Sequence, residues 1–355
     1  MLGYNVNMNI SAVLTDLDAV VVTSPANLFY LSGMTNADAI IVLTNEQSYY
    51  VTSPLYEVDA QEKLPQDMTA VIVRSEPRLN VVRRLLGDRK RIGIEGASMD
   101  VASYLTLFVD PGFTTTDVAY RFAQMRRVKT TSELETIKHA EGIVDKAFAE
   151  TIPAIRVGMT EREVRYLLQD AMFRYGADGV AFDTIVAFGE NAAKPHAVPS
   201  DRPLRKGDCI VMDFGAKYNG YCSDFTRTIF CGTPTKRFIE AYECVLKAHL
   251  DAVEYFMGGG RNAADADKIA REVIDSSSYK GLFTHSLGHG VGIEIHESPY
   301  LKHNSLDVIG ENEVFTIEPG VYAAGEFGIR IESLVAIENG KLTVIDRSNK
   351  EIITL

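Results

Sequence analysis

Between residues 18 and 94 the apolar positions come in short runs rich in Val and Ile. Polar and helical stretches separate them, and the spacing predicts strands at 18–23, 39–44, 48–52, 70–73 and 91–94. Strands interleaved with helices predict an α/β arrangement for this part of the chain. The period then changes. After the basic run Arg126-Arg127-Val128-Lys129, the apolar positions Leu134, Ile137, Ile143, Val144, Ala147 and Phe148 recur at helical spacing. Ser132 with Glu135 has the spacing of a capping box, and so does Thr160 with Glu163 ahead of Val164, Leu167, Leu168, Ala171 and Met172, a helix expected to stop near Gly176. Helices are also predicted at about 236–256 and 263–276, on either side of Gly258-Gly259-Gly260, with strands between and after them. The change of period sets a domain boundary, giving 1–128 and 129–355. No fixed-period repeat is visible, which excludes a solenoid.

The size agrees with two domains: 355 residues, 46% of them apolar, supply ample core. A net charge of −12 leaves no basic excess for a nucleic-acid backbone or an anionic membrane surface, so a peptide or small molecule is the expected partner. The four cysteines, Cys209, Cys222, Cys231 and Cys244, lack Cys-x-x-Cys spacing and read as reduced thiols. The opening Met-Leu-Gly-Tyr-Asn-Val-Asn does not read as a leader, no apolar run is long enough to span a bilayer, and the expected location is the cytoplasm.

Candidate chemistry concentrates after residue 209. Asp213 ends the apolar run Ile210-Val211-Met212, and Asp224 follows Cys222-Ser223. The dipeptide Asn219-Gly220 between them predicts a hairpin that would bring the two acids side by side. Two adjacent carboxylates resist joint ionisation unless a cation lies between them. Three of the seven histidines, His285, His289 and His296, fall in one glycine-rich stretch. The glycines there do not have nucleotide-loop spacing, and His296-Glu297 lacks the second histidine of a helical zinc-protease motif. Glu318 and Glu332 lie in apolar β-rich contexts where an unpaired carboxylate is expensive to bury. Taken singly, each of these acids is more readily a turn, strand-end or edge-strand residue, and His139, His249 and His303 are read as structural. Together, one imidazole and four carboxylates suit manganese first, then cobalt or zinc, and four carboxylates with a hydroxide nearly balance two divalent ions. Lys129 and Lys138 are read as solvated.

These segments resemble the pita-bread metallopeptidases, the group that holds proline dipeptidase (prolidase), Xaa-Pro aminopeptidase (aminopeptidase P) and methionine aminopeptidase. The likeness runs, in order, through Asp213-Phe214-Gly215, residues 220–228, His285 to Gly290, Ile295 to Pro299, Thr316 to Gly320 and Ile329 to Glu332. Residues 27–33 and 92–95 also resemble the creatinase/prolidase-type N-terminal domain of the proline-specific branch. The resemblance implies an α/β (α+β) chain with a pita-bread catalytic domain at the C-terminus. It further implies an exopeptidase that cuts before proline in a peptide or dipeptide, commonly as a homodimer.

By the same resemblance Asp213 binds one metal ion, Asp224 and Glu332 bridge two, and His289 with Glu318 holds the other. A bridging hydroxide would attack the carbonyl before proline while Glu318 shuttles its proton. His285 would stabilise the oxyanion, His196 and His296 would position substrate, and Arg330 would support a ligand carboxylate. Two positions depart from the pattern. Tyr300 stands where many relatives carry an arginine linked in some prolidases to the dipeptide carboxylate, which favours an aminopeptidase, and Ser333 replaces an aspartate. The alternatives are a metal-free creatinase-like amidinohydrolase, against which the intact ligand set argues, and a non-catalytic binding module of the same fold.

Overall fold

A computed structural model describes residues 10–35, 38–109 and 112–355 and divides into two compact units, one up to Arg126 and one from Arg127. The stretch read as lacking a leader, residues 1–7, lies outside the described residues.

The first unit is built on one six-stranded mixed sheet. Its strands are β1 (Ala19–Val22), β2 (Ala39–Thr44), β3 (Ser48–Thr52), β4 (Met68–Ile72), β5 (Arg91–Ile94) and β6 (Thr114–Asp117), in the order β4-β3-β2-β1-β5-β6. The five strands expected from Val/Ile runs are present; β6, the polar run Thr-Thr-Thr-Asp on the sheet edge, carries no apolar signal. Val21, Val42, Val51 and Ile92 form a core with helix residues Val82 and Leu107. The two segments that resemble the proline-specific branch meet through Glu95. Its buried carboxylate accepts the backbone N–H groups of Thr23 and Ser24 at 2.6 and 2.8 Å and the side-chain amide of Asn27, holding the start of helix Pro25–Ser32.

The second unit layers helices over small antiparallel sheets. Strands β7 (Gly179–Val180), β10 (Ala216–Tyr218) and β11 (Tyr221–Cys222) form one sheet, and β8 (Ile185–Phe188), β9 (Cys209–Phe214) and β12 (Phe225–Phe230) a second. Strands β13 (Gly288–Gly290), β14 (Glu297–Leu301), β15 (Val314–Ile317), β18 (Ser333–Glu338) and β19 (Lys341–Val344) form a third, and β16 (Gly320–Ala323) pairs with β17 (Phe327–Arg330). Helices Thr131–Thr151 and Glu161–Arg174 bury Val144, Phe148, Leu168 and Met172 against Met212, Phe214 and Phe225. Helices Lys236–Met257 and Ala263–Asp275 pack Phe238, Phe256 and Ile274 on the other core with Phe315 and Ile329.

The first capping box differs from the expected one. Thr130, not Ser132, is the N-cap: its hydroxyl accepts the Glu133 N–H, and the Glu133 carboxylate accepts the Thr130 N–H at 2.7 Å. Both registers satisfy the pattern, and burial decides between them, because Glu133 is enclosed and also receives the Tyr221 hydroxyl at 2.7 Å. The second box, Thr160 with Glu163, is as expected. Lys129 corrects another reading: it is 2% exposed and ion-paired to Glu297 at 2.7 Å, and Lys138 is half-buried between Glu135 and Glu338. Among the described residues no helix is long and apolar enough to cross a membrane.

Candidate metal centre

Strand register explains how the distant acids meet. Asn219 and Gly220 both have positive φ, 45° and 82°, the backbone of a tight hairpin turn, and β10 and β11 pair across it with Tyr218 opposite Tyr221. The same register continues into β9 and β12, where Phe214 faces Phe225 and Asp213 faces Thr226. Asp213 and Asp224 therefore lie diagonally on one face, as the hairpin reading requires. On the third sheet Ile317 pairs with Ser333, so Glu318 and Glu332 leave their strands at the same end. His289 sits in β13 between two glycines. A Cβ at Gly288 would overlap the Thr316 carbonyl and one at Gly290 the Ser298 carbonyl, so only glycine lets the neighbouring strands close around the imidazole.

The resulting cluster is tight. Carboxylate oxygens of Asp213, Asp224 and Glu332 lie within 4.8 Å of one another. His289 Nε2 is 3.4 Å from Asp224 Oδ2 and 3.3 Å from Glu318 Oε1. Its Nδ1 lies 3.1 Å from the Gly290 carbonyl oxygen, which can only accept, so Nδ1 carries a proton, and Nε2 faces the acids and donates to Glu318 when the ring is protonated. Burial and the charges of Glu332 and Asp213 hold the Asp224 carboxyl well above the usual carboxylate range. Burial and the charges of Glu318 and Asp213 do the same to Glu332. Burial raises Asp213 as well, against the opposing charge of Arg330. Burial would raise Glu318 too, but its bond to His289 prevails and brings it down to about 2. One Glu332 oxygen is buried with no hydrogen-bond partner, whereas the other accepts the Thr226 hydroxyl at 2.7 Å. Crowded carboxylates, an orphaned buried oxygen and an imidazole nitrogen aimed at them form a donor set that fits divalent cations.

Around the cluster runs a second set of bonds. Arg330, 3% exposed, ion-pairs with Asp213, donates to Thr226 at 3.2 Å and donates to the Tyr322 hydroxyl at 2.6 Å. His285 Nδ1 is 2.8 Å from the Ser286 carbonyl and its Nε2 2.8 Å from Tyr322 Oη. Since the carbonyl can only accept, Nδ1 donates and the Tyr322 hydroxyl donates to Nε2. Both His285 nitrogens are thus engaged, and service to an oxyanion would require the Tyr322 bond to break. Burial lowers the pKa of His285, and burial with the charge of His289 lowers that of His296, whose ring centroid is 4.3 Å from that of His289.

A cavity of about 640 Å³ opens on the cluster, lined by His196, Asp213, Asp224, His285, His289, His296, Glu318 and Arg330 among others; Glu332 lies behind the wall, 1% exposed. Every site residue named from the sequence belongs to this one region. Sequence reasoning missed Thr226, Tyr322 and Arg227. Thr226 and Thr228 alternate with Asp224, a period-2 signal for a shared strand face, and Thr228 bonds the Arg330 backbone at 3.0 Å in both directions. Arg227 points the other way, 1% exposed, and donates to the backbone carbonyl of Glu332 at 2.5 Å and to Asp346 at 2.6 Å. The structural reading of His249 agrees with its position, enclosed between Ile317 and Ser333.

Comparison with known proteins places this geometry in a lineage. Residues 135–339 match the model of metallopeptidase family M24, and residues 14–128 match the creatinase/prolidase N-terminal domain. A Xaa-Pro dipeptidase from Pyrococcus furiosus is 39% identical over 340 residues, 93% of this chain and 94% of that protein. Among solved structures, an X-Pro aminopeptidase from Thermotoga maritima superposes with a TM-score of 0.88 at 35% identity, covering 96% of this chain and 99% of the other. A Xaa-Pro dipeptidase from Bacillus anthracis gives 0.92 at 31% identity, covering 98% and 99%. With its α/β N-terminal domain and its pita-bread second domain, the chain belongs to the M24 metallopeptidases.

Proposed function

We propose that the chain hydrolyses the peptide bond preceding proline at the N-terminal end of short peptides, using two divalent ions held by Asp213, Asp224, His289, Glu318 and Glu332. The convergence of two buried carboxylates and a half-buried one within 4.8 Å carries this reading, because such a set resists ionising together at neutral pH without cations. Manganese leads among the candidate ions, since four of the five donors are carboxylates. When bound, the ions would acidify a water molecule and polarise the scissile carbonyl. The protein's own groups do the rest. Glu318, on the cavity wall and ionised, takes the proton of the attacking water. His296 and His196, on the same wall, orient the carbonyl and the proline ring, while Tyr322 and Arg330 hold His285 and Asp213 in place. The names of the similar proteins support the proline specificity, and the homodimer implied by the resemblance and the cytoplasmic location expected from the sequence belong to the same proposal.

The test is metal analysis of the purified chain, followed by assay of a Xaa-Pro dipeptide and a Xaa-Pro-containing tripeptide after loading with Mn²⁺, Co²⁺ or Zn²⁺. Two equivalents of metal and release of the residue before proline are expected. Full activity after exhaustive chelation would refute the reading.

A further inference from the structure

Two arginines line the cavity, and they differ in what they touch. The guanidinium of Arg330 is committed to Asp213, Thr226 and Tyr322. Arg165, on helix Glu161–Arg174, forms no ion pair and no hydrogen bond among the described residues. It is half-buried, and its Nε is shielded from water without a partner. The guanidinium stacks on the Tyr166 ring, with its carbon 4.8 Å from the ring centroid. Asp183 also lines the cavity and does not pair with it. Elsewhere in this unit, arginines of similar or deeper burial are satisfied by acids: Arg127 by Asp307 and Glu313, Arg202 by Glu190 and Asp208, Arg271 by Asp267.

A half-buried guanidinium with free N–H groups, facing a cavity, is a site for a planar anion that accepts two hydrogen bonds at once. Resting on the function proposed above, we infer that Arg165 receives the C-terminal carboxylate of the substrate and makes free Xaa-Pro dipeptides the preferred class. Tyr300, also on the cavity wall, is where the resemblance expects a carboxylate-binding arginine. In this chain the cation reaches the cavity from a helix instead of from β14. Free dipeptides then take precedence over the longer substrates that Tyr300 alone suggests.

The experiment compares a Xaa-Pro dipeptide with its C-terminal amide on the metal-loaded parent, Arg165→Gln and Arg165→Lys. Binding of L-proline and L-prolinamide to each is followed by calorimetry, and metal content and thermal melting report on folding. The parent should prefer the free acid. In Arg165→Gln that preference should collapse by about tenfold to a hundredfold, through KM more than kcat, with weaker proline binding in parallel. Arg165→Lys should fall between, because it keeps the charge and loses the paired geometry. Equal use of acid and amide by the parent, or a preference unchanged in Arg165→Gln, would overturn the assignment. If the loaded parent hydrolyses neither substrate, the underlying function falls, and this assignment with it.

Discussion

Replacing Lys129 with methionine tests a deeply buried ion pair beside the site. The Lys129 and Glu297 side chains are 1% and 4% exposed and 2.7 Å apart, and the lysine also donates to the Arg127 carbonyl at 3.2 Å. Methionine fills most of the lysine's volume, so the change removes charge and hydrogen bonds more than packing. It leaves the Glu297 carboxylate enclosed beside Gly292 and removes the Lys129 ammonium from it. Breaking a buried pair from one side costs about 3–5 kcal/mol, which for a unit of this size corresponds to a fall in Tm of roughly 10 °C. Lys129→Met, Glu297→Gln and the double variant would be compared by urea denaturation at pH 7 with metal held saturating. Both single variants should lose stability by about that amount. The double variant should recover most of it, since no uncompensated charge remains. Additive losses, or a single-variant loss below about 1 kcal/mol, would show that the pair is solvated and that its geometry contributes nothing.

Other outcomes follow from the same site. Asp224→Asn removes one of the crowded carboxylates, so metal content after dialysis and turnover should both vanish. The metal-free protein should nevertheless melt higher than the metal-free parent, and a lower melting point would contradict the repulsion inferred from the raised Asp224 and Glu332 carboxyls. His296→Ala should keep both metals and lose turnover by about a hundredfold or more; co-loss of metal would reassign it as a ligand. Burial pushes His249 down to about 3 from an ordinary 6.5, so only the unfolded chain takes up its proton between those values, and stability is lost as pH falls through that window. The advantage of the parent over His249→Gln should therefore be about 2 kcal/mol smaller at pH 5 than at pH 7, and a pH-independent difference would refute the assignment.

What the sequence revealed and what it hid divide along a physical line. Features encoded in neighbouring residues could be read directly. Val/Ile runs marked five strands of the first sheet, a 3.6-residue period marked the long helices, and Asn219-Gly220 marked the turn whose register carries Asp213 and Asp224 onto one face. The edge strand Thr114–Asp117 escaped because its residues bury almost nothing. Where two local patterns competed, as for the capping box, the sequence held no information to separate them, because Tyr221, 88 residues away, decides which glutamate is enclosed.

Partner identity was the least legible. Lys129 meets Glu297 across 168 residues and Arg330 meets Asp213 across 117, and nothing near either cation in the chain announces its acid. A cation in a polar stretch of sequence is ordinarily solvated, and sequence alone would treat Arg165 and Lys129 alike. Only folding separates them: Lys129 has found its acid inside the protein, whereas Arg165 faces the cavity with none, leaving the substrate to supply it. The burial and pairing of a charge, more than its position along the chain, thus distinguish a group that holds the fold from one that waits for a ligand.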